Sequence, residues 1–427
     1  MAKLALFGGE KAVSKSASAY AAPIVAPEAY AKVERLLRAG NISLAPEVAQ
    51  FEKKFADYMG VSHVIGATNG TATLHMALVA AGVGPGDEVI VPSFTYWATV
   101  APMVSLGAVP VFADVDLSSH LMTAETIVAK ITPKTKAIIV VHTWGTPCDM
   151  DSILALATKF NIPVIEDASH AHGATYKGKK AGAMADIGCY SLQGSKLMPA
   201  GEGGMFATNN PKYYERAMAV GHYERLHTLP EDSPYRKYAL TGFGFKYRPN
   251  PMAMVLADTA LDHLDQWNEV RNRLGRLLDE QLSEFACIEP QTVPEGANRV
   301  YAYHYMRYLP EKLGGLSIGS FLKALSAEGV SCGVCGYGRL HQAPLFNGEN
   351  PFGHGTYRSD ASLPVTELLA RTAFFAAPRF ETATESDVLE YAEAYGKVIE
   401  NADLLLEVEQ EKAVKVEAAS GRSINLV

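Results

Sequence analysis

The sequence is poor in cysteine, has no run of basic residues and holds no uninterrupted apolar stretch long enough to cross a bilayer. Its 5 cysteines, Cys148, Cys189, Cys287, Cys332 and Cys335, are odd in number and sparse over 427 residues, which argues against a disulfide framework. Met1-Ala2-Lys3 runs into Leu4 to Gly9, an apolar stretch too short for a secretory signal, so a reduced, cytoplasmic protein is expected. Cys332-Gly-Val-Cys335 is one CxxC without a second pair, whereas a structural zinc takes four ligands; no metal is expected. Lysine and arginine number 38 against 46 acidic residues, a net charge of −8. Nothing supplies the basic face that a nucleic acid or an anionic membrane surface would require. The stretch nearest to a membrane span, Val89 to Ala113, is cut by Pro92, Pro102, Gly107 and Pro110. It reads instead as a buried βαβ unit, with a strand from Val89, a helix over Tyr96–Leu106 and a second strand over Val109–Phe112.

Apolar residues make up 48% of the chain and charged residues 20%, a composition that folds around a large core. Between residues 45 and 210 helical and strand patterns alternate. Val48, Phe51 and Phe55 recur at helical spacing up to Gly60, and a small-residue helix covers Ala72–Ala81 before Gly82. Gly84-Pro-Gly-Asp87 turns into the strand Glu88–Val91. Ala137–His142 is a buried strand, Met150–Phe160 a helix, and Pro163–Glu166 another strand. Such alternation implies an α/β fold, a mostly parallel central sheet with helices on both faces, whose ligands sit at the carboxyl ends of the strands. After residue 250 the pattern changes: two helical stretches within Met252–Phe285, a strand over Val300–Tyr308, a helix over Ile318–Glu328, a strand near Val330 and a helix over Glu385–Glu400. We therefore expect an N-terminal arm over 1–44, a large domain over 45–250, a smaller α+β domain over 251–401, and a tail over 402–427 that is helical to about residue 420. There is no evident internal repeat.

Four stretches carry chemistry. In Val164-Ile-Glu-Asp167-Ala-Ser-His170-Ala-His172, a carboxylate closes a hydrophobic strand where a sheet presents ligands; such an acid also caps the next helix or faces water. In Ser191-Leu-Gln-Gly-Ser-Lys196-Leu-Met-Pro-Ala-Gly201-Glu-Gly-Gly204, one lysine lies among small and apolar residues. Desolvation would make it nucleophilic, whereas on a glycine-rich surface loop it would be an ordinary cation. Asn69-Gly70-Thr71-Ala72 runs straight into a helix, offering free N–H groups to a phosphate or merely forming an N-cap. In Pro92-Ser-Phe-Thr-Tyr96-Trp97-Ala-Thr99, an aromatic follows a strand and either covers a flat ring or joins the core.

Together these match one cofactor. Pyridoxal phosphate takes a Schiff-base lysine, an acid at its ring nitrogen, a ring-stacking group and a phosphate cup. With Pro85-Gly-Asp-Glu-Val-Ile, Tyr337-Gly-Arg-Leu-His341-Gln-Ala-Pro344-Leu-Phe346 and Leu363-Pro364, the chain from residue 5 to 400 resembles the DegT/DnrJ/EryC1/StrS sugar aminotransferases, fold-type I pyridoxal phosphate enzymes. The resemblance implies that Lys196 forms the internal aldimine and moves the proton. It gives Asp167 the task of keeping the pyridine nitrogen protonated, and sets His170 beside the ring with Tyr96 stacked on it. Gly70, Thr71 and Ser191 would form the phosphate cup. Some relatives carry His at the lysine position and act as dehydratases; this chain keeps Lys196. Many relatives reach the phosphate with a partner-subunit Asn before Tyr-Arg, and here Lys246 stands at that place in Gly244-Phe-Lys246-Tyr-Arg248. A homodimer with a shared active site is implied.

The expected reaction is a ping-pong transfer of an amino group from L-glutamine or L-glutamate to a nucleotide-linked keto-sugar or a keto-cyclitol. Leu4-Ala-Leu-Phe-Gly-Gly-Glu-Lys-Ala and Val141-His-Thr-Trp-Gly-Thr-Pro-Cys-Asp-Met-Asp151 resemble the cyclitol branch more closely. His142, Trp144, Tyr223, Arg225, Tyr337 and His341 are candidate acceptor contacts, each equally able to serve core or interface. The competing readings are a pyridoxal phosphate lyase or dehydratase on a sugar-like substrate, and a cofactor-binding regulator without activity.

Overall fold

The computed structural model describes residues 2–15, 25–359 and 361–420, the side chains of 413–420 excepted. Residues 1 and 16–24 of the expected arm and 421–427 of the expected tail lie outside the described residues.

A seven-stranded sheet forms the larger half: β1 His63–Ala67, β2 Glu88–Pro92, β3 Val109–Ala113, β4 Thr135–Val141, β5 Val164–Asp167, β6 Ile187–Ser191 and β7 Gly204–Thr208, in the order β1-β7-β6-β5-β4-β2-β3. β2 to β6 pair in parallel, and β7 alone opposes both of its neighbours. Both faces are covered, which is why the strands read as unbroken hydrophobic runs. Along β4, Ala137 and Ile139 enter one core while Ile138 and Val140 enter another on the opposite face.

Helix α1 spans Pro27–Arg38 and α2 spans Pro46–Met59, the latter stopped by Gly60 in the left-handed region (φ 70°). Helix α3, Gly70–Ala80, starts two residues before its expected position because Asn69 caps it, accepting from the Ala72 N–H at 2.8 Å. It is apolar nearly all round, as a helix buried on every side must be. Helix α4, Met150–Phe160, and helix α5, Pro211–Gly221, also belong to this half.

Where a helix was expected over Tyr96–Leu106, the chain makes a 3-10 turn at Trp97–Thr99 and one α-turn at Pro102–Ser105. Pro102 lacks the N–H that would carry a helix through and instead opens the second turn. The two helices expected within Met252–Phe285 are one, α6, Pro251–Leu282. No proline interrupts it; only the face it buries changes partner. Ala253, Met254, Ala257 and Leu264 pack with Phe51 and Phe55 of α2. Leu274, Leu278 and Leu282 pack instead on the second sheet.

That second sheet is antiparallel, with β8 Ile288–Pro290, β9 Tyr305–Tyr308, β10 Cys332–Val334 and β11 Ala373–Ala376 in the order β8-β9-β11-β10. The strand expected over Val300–Tyr308 pairs only from Tyr305, because Val300 turns away to bond Gly145. The one expected near Val330 begins at Cys332. Helices α7 Ile318–Ala327, α8 Glu385–Glu400 and α9 Ala402–Ser420 cover it. The start of α9 belongs to this core, for Leu405 is buried in it and Glu409 accepts from the Ser317 N–H at 3.2 Å. No helix among the described residues is long and apolar enough to cross a membrane.

The amino-terminal residues are fastened to this second unit. Leu4 and Val13 enter its core, and the fully buried Glu328 carboxylate accepts from the N–H groups of Ala5 (2.7 Å) and Ala12 (3.1 Å) and from Lys397 Nζ (2.8 Å). Removing one side of a buried pair leaves the other uncompensated. Glu328→Ala should therefore cost about 3 kcal/mol and speed amide exchange at Ala5 and Ala12. Unchanged exchange there would show that the carboxylate does not hold the segment.

Candidate functional site

The parallel register ends β4 at Val141 opposite Asp167 of β5, and Asp167 pairs in turn with Cys189 of β6, two residues before Ser191. Strand carboxyl ends thus place Asp167 and Ser191 on one edge of the sheet, the edge that α/β folds use for ligands. Asp167 is buried, yet both oxygens are satisfied: Oδ2 accepts from the Thr99 hydroxyl at 2.8 Å and Oδ1 from the Ser169 N–H at 3.2 Å. Gly70, at the start of α3, lies against Ser191; a Cβ there would stand 2.8 Å from the Ser191 Cβ. Glycine thereby keeps the first turn of α3 close to Ser191.

Lys196 sits in the excursion between β6 and β7, on a tight turn in which Gln193 accepts through its backbone oxygen from the Lys196 N–H (2.8 Å) and through Oε1 from the Ser195 N–H (2.8 Å). No described carboxylate lies within ion-pair distance of its amine, whose nearest recorded ring is Tyr303, 5.9 Å from Nζ to the centroid. Burial pulls the lysine from 10.5 down to about 8, with Asp167 acting in the opposite direction.

These groups line one cavity of about 690 Å³. Of the residues singled out by sequence, Gly70, Thr71, Tyr96, Asp167, His170, Ser191 and Lys196 all face it. Tyr96 stands at its mouth, 52% exposed, with Trp97 beside it. His170 is buried and held well below the ordinary histidine range, first by desolvation and then by the nearby Lys196. Its Nδ1 accepts from the Trp144 N–H at 3.4 Å and lies 3.3 Å from the Tyr337 hydroxyl. Lys246 is the exception: it is exposed and lies outside this cavity in the single chain.

The candidate acceptor contacts divide. Trp144 and Tyr337 line the cavity. His142 does not; it is sealed beneath the sheet edge, with Nε2 2.8 Å from Glu166 Oε2 and Nδ1 accepting from the Cys148 N–H at 3.2 Å. The same Glu166 accepts three backbone N–H groups, from Gly182, Met184 and Ala185. Arg225 is turned onto Glu52 in a bidentate pair at 2.8 and 2.9 Å, and Tyr223 packs against the core of the large sheet. His341 bonds Ser93 Oγ through Nδ1 at 2.7 Å.

Sequence reading missed Thr99, Tyr303 and Tyr305. Thr99 lay within the aromatic stretch but its bond to Asp167 crosses 68 residues. The two tyrosines were visible as alternating aromatics, assigned to a strand. Tyr305 stacks on Trp144 at 4.2 Å and 13°, and Trp144 holds φ 57°, a left-handed conformation uncommon for a bulky residue.

The sequence pattern of the DegT/DnrJ/EryC1/StrS aminotransferase family matches residues 23–385. The chain is 42% identical over 236 residues to GDP-perosamine synthase of Caulobacter vibrioides, a match spanning 55% of this chain and 62% of that protein. It is 34% identical over 393 residues to L-glutamine:2-deoxy-scyllo-inosose aminotransferase of Streptomyces lividus, covering 87% of this chain and 92% of that one. Among solved structures it is similar to an aminotransferase from Psychrobacter cryohalolentis, with TM-score 0.80, 29% identity, and coverage of 92% of this chain and 100% of the other.

A fall from 10.5 to about 8 raises the neutral-amine fraction of Lys196 at pH 7 by roughly two orders of magnitude. Acylation of Lys196 by an amine reagent, followed by peptide mapping, should gain rate up to about pH 8 and level off above it. A rate still rising through pH 10 would show a solvated lysine.

Proposed function

The chain belongs to the DegT/DnrJ/EryC1/StrS aminotransferase family and is a pyridoxal phosphate-dependent aminotransferase of fold-type I; from that premise we propose that it moves an amino group from L-glutamine or L-glutamate to a keto-cyclitol or a nucleotide-linked keto-sugar, with the cyclitol favoured. The observation that carries this reading is a desolvated lysine without a counter-ion, in the same cavity as a buried carboxylate and the start of a helix. The cyclitol preference rests on the long match to the inosose aminotransferase of Streptomyces lividus.

The residues fit the cofactor. The gap between Gly70 and Ser191, too tight for a Cβ, leaves N–H groups and a hydroxyl to receive a phosphate at a positive helix end. Asp167, fixed by Thr99 and Ser169, holds the proton on the ring nitrogen. Tyr96 would stack on the ring, and His170, kept neutral by burial, would contact it. Pyridoxal phosphate supplies the electron sink that stabilises negative charge at the substrate carbon. Lys196 would hold the cofactor through Nζ, and the same amine would serve as the base that moves the proton at the substrate carbon. Trp144, Tyr305 and Tyr337 form an aromatic wall for the ring of the acceptor. Lys246 from a second copy completes the phosphate site as a point charge, so the working unit is a homodimer. Five cysteines without a bridge fit a cytoplasmic setting.

The purified protein should absorb in the visible through its lysine-bound cofactor. L-glutamine or L-glutamate should shift that band to the ultraviolet, and a keto-cyclitol should restore it. Lys196→Ala should lose the band and the transfer; a band that no donor moves would overturn transamination and leave elimination chemistry. Mixing Lys196→Ala with Lys246→Ala subunits should restore about a quarter of native activity, since half of the dimers are mixed and each mixed dimer carries one intact site of two. Recovery of no more than the two variants show alone would remove Lys246 from the shared site.

A further inference from the structure

The acid of the site is supported from outside its own strand. Beyond β2 the chain leaves the sheet edge at Ser93, whose Oγ lies 2.7 Å from His341 Nδ1 and accepts from the His341 N–H at 3.1 Å. It then makes the 3-10 turn Trp97–Thr99, in which the Thr99 N–H donates to the Tyr96 carbonyl at 3.1 Å. This turn sorts its side chains. Tyr96 and Trp97 stand 52% exposed at the cavity mouth, whereas Thr95 and Thr99, four residues apart, are each 2% exposed. The Thr99 hydroxyl donates to Asp167 Oδ2 at 2.8 Å, and Thr95 Oγ1 lies 3.1 Å from Thr99 Oγ1. A hydroxyl holds one proton, and an ionised carboxylate only accepts. The Thr99 proton is therefore committed to Asp167, and Thr95 is the donor to Thr99. Valine would fill the same space at either position. A buried hydroxyl costs free energy unless it is bonded, so two in series that end on a carboxylate mark a polar task.

We propose that Thr95 and Thr99 form a buried relay that positions Asp167 for the ring nitrogen of the cofactor. This rests on the reading of Asp167 as the acid at that nitrogen. Each carboxylate oxygen can accept twice. Thr99 takes one place on Oδ2 and the Ser169 N–H one on Oδ1, from two separately fixed stretches of backbone. The carboxylate cannot turn about its Cβ bond without breaking one of them, and each oxygen keeps a place free for a donor in the cavity that Asp167, Thr95 and Thr99 all line. Both of its donors are neutral, so they orient the acid without cancelling its charge. Thr95 holds Thr99 in its donating rotamer, and bonds in such a chain strengthen one another where water is excluded. One short turn thus carries the aromatic face of the site on its outer side and the support of its acid on its inner side.

The test measures binding of two probes to the full-length chain by quenching of Trp97 and Trp144, which line the cavity. One probe is pyridoxamine 5'-phosphate, which has no aldehyde to bond Lys196. The other is its carbocyclic analogue, with C–H in place of the ring nitrogen. Thr99→Val should weaken pyridoxamine phosphate about tenfold, the effect of one lost hydrogen bond to a charged group, and leave the analogue unchanged. Thr99→Ser, which keeps the hydroxyl, should bind both probes as the native chain does. Thr95→Val should give a smaller loss of the same kind, and no further loss when Thr99 is already valine, because it acts through that residue. The analogue also reports an intact site, so a variant that merely unfolds is recognised by loss of both probes. Equal weakening of both probes by Thr99→Val in a folded chain, or losses that add in the double variant, would overturn the relay. The underlying reading is tested separately by Asp167→Ala. If that variant does not distinguish the two probes, Asp167 is not the acid at the ring nitrogen; if it does and Thr99→Val does not, the relay alone fails.

Discussion

The site depends on an amine and a carboxylate that share a cavity without neutralising each other. Asp167 has both oxygens engaged, by Thr99 and by the Ser169 N–H, and so is not drawn onto Lys196. Lys196 is left desolvated and unpaired; burial makes its charged form costly, and the lowered proton affinity reflects that cost. A salt bridge between them would have been the easier outcome for an isolated protein. Keeping them apart leaves a carboxylate and an amine facing the same cavity, the kind of fixed charge arrangement that electrostatic preorganisation requires.

Much of the surrounding structure serves that separation. The central sheet is buried on both faces and cannot flex at its carboxyl edge without disturbing two cores. Helix α6 joins both units as one rod, packing on α2 at one end and on the small sheet at the other. The second unit supplies Tyr303, Tyr305 and Tyr337 to the cavity that the first unit opens. Trp144 accepts a left-handed backbone so that its ring lies flat on Tyr305. Local strain of this kind persists where packing over-determines it.

Some polar residues that resemble site residues serve the frame instead. His142 and Glu166 lie next to the site in sequence, yet Glu166 gathers three backbone N–H groups and the histidine beneath the sheet edge. Arg225 pairs with Glu52, which also accepts the Gly66 N–H of β1. In each case a buried acid needs partners, and those partners are then withheld from any ligand.

Local pattern alone carried the alternation of strands and helices, the strand ending in Asp167, a helix following Asn69-Gly70-Thr71, and the lysine set among small residues. All of these are short-range signals, legible from periodicity and capping. Boundaries failed where local pattern was ambiguous: Pro102 broke an expected helix, and α6 ran unbroken because changing its packing partner leaves no mark on a 3.6-residue period. Tertiary structure decided which candidates meet. Tyr303 reaches Ser195 across 108 residues and Tyr337 reaches His170 across 167, contacts set by chain topology rather than by spacing. The depressed proton affinity of Lys196 is likewise a property of burial, which exists only once both units have closed around it.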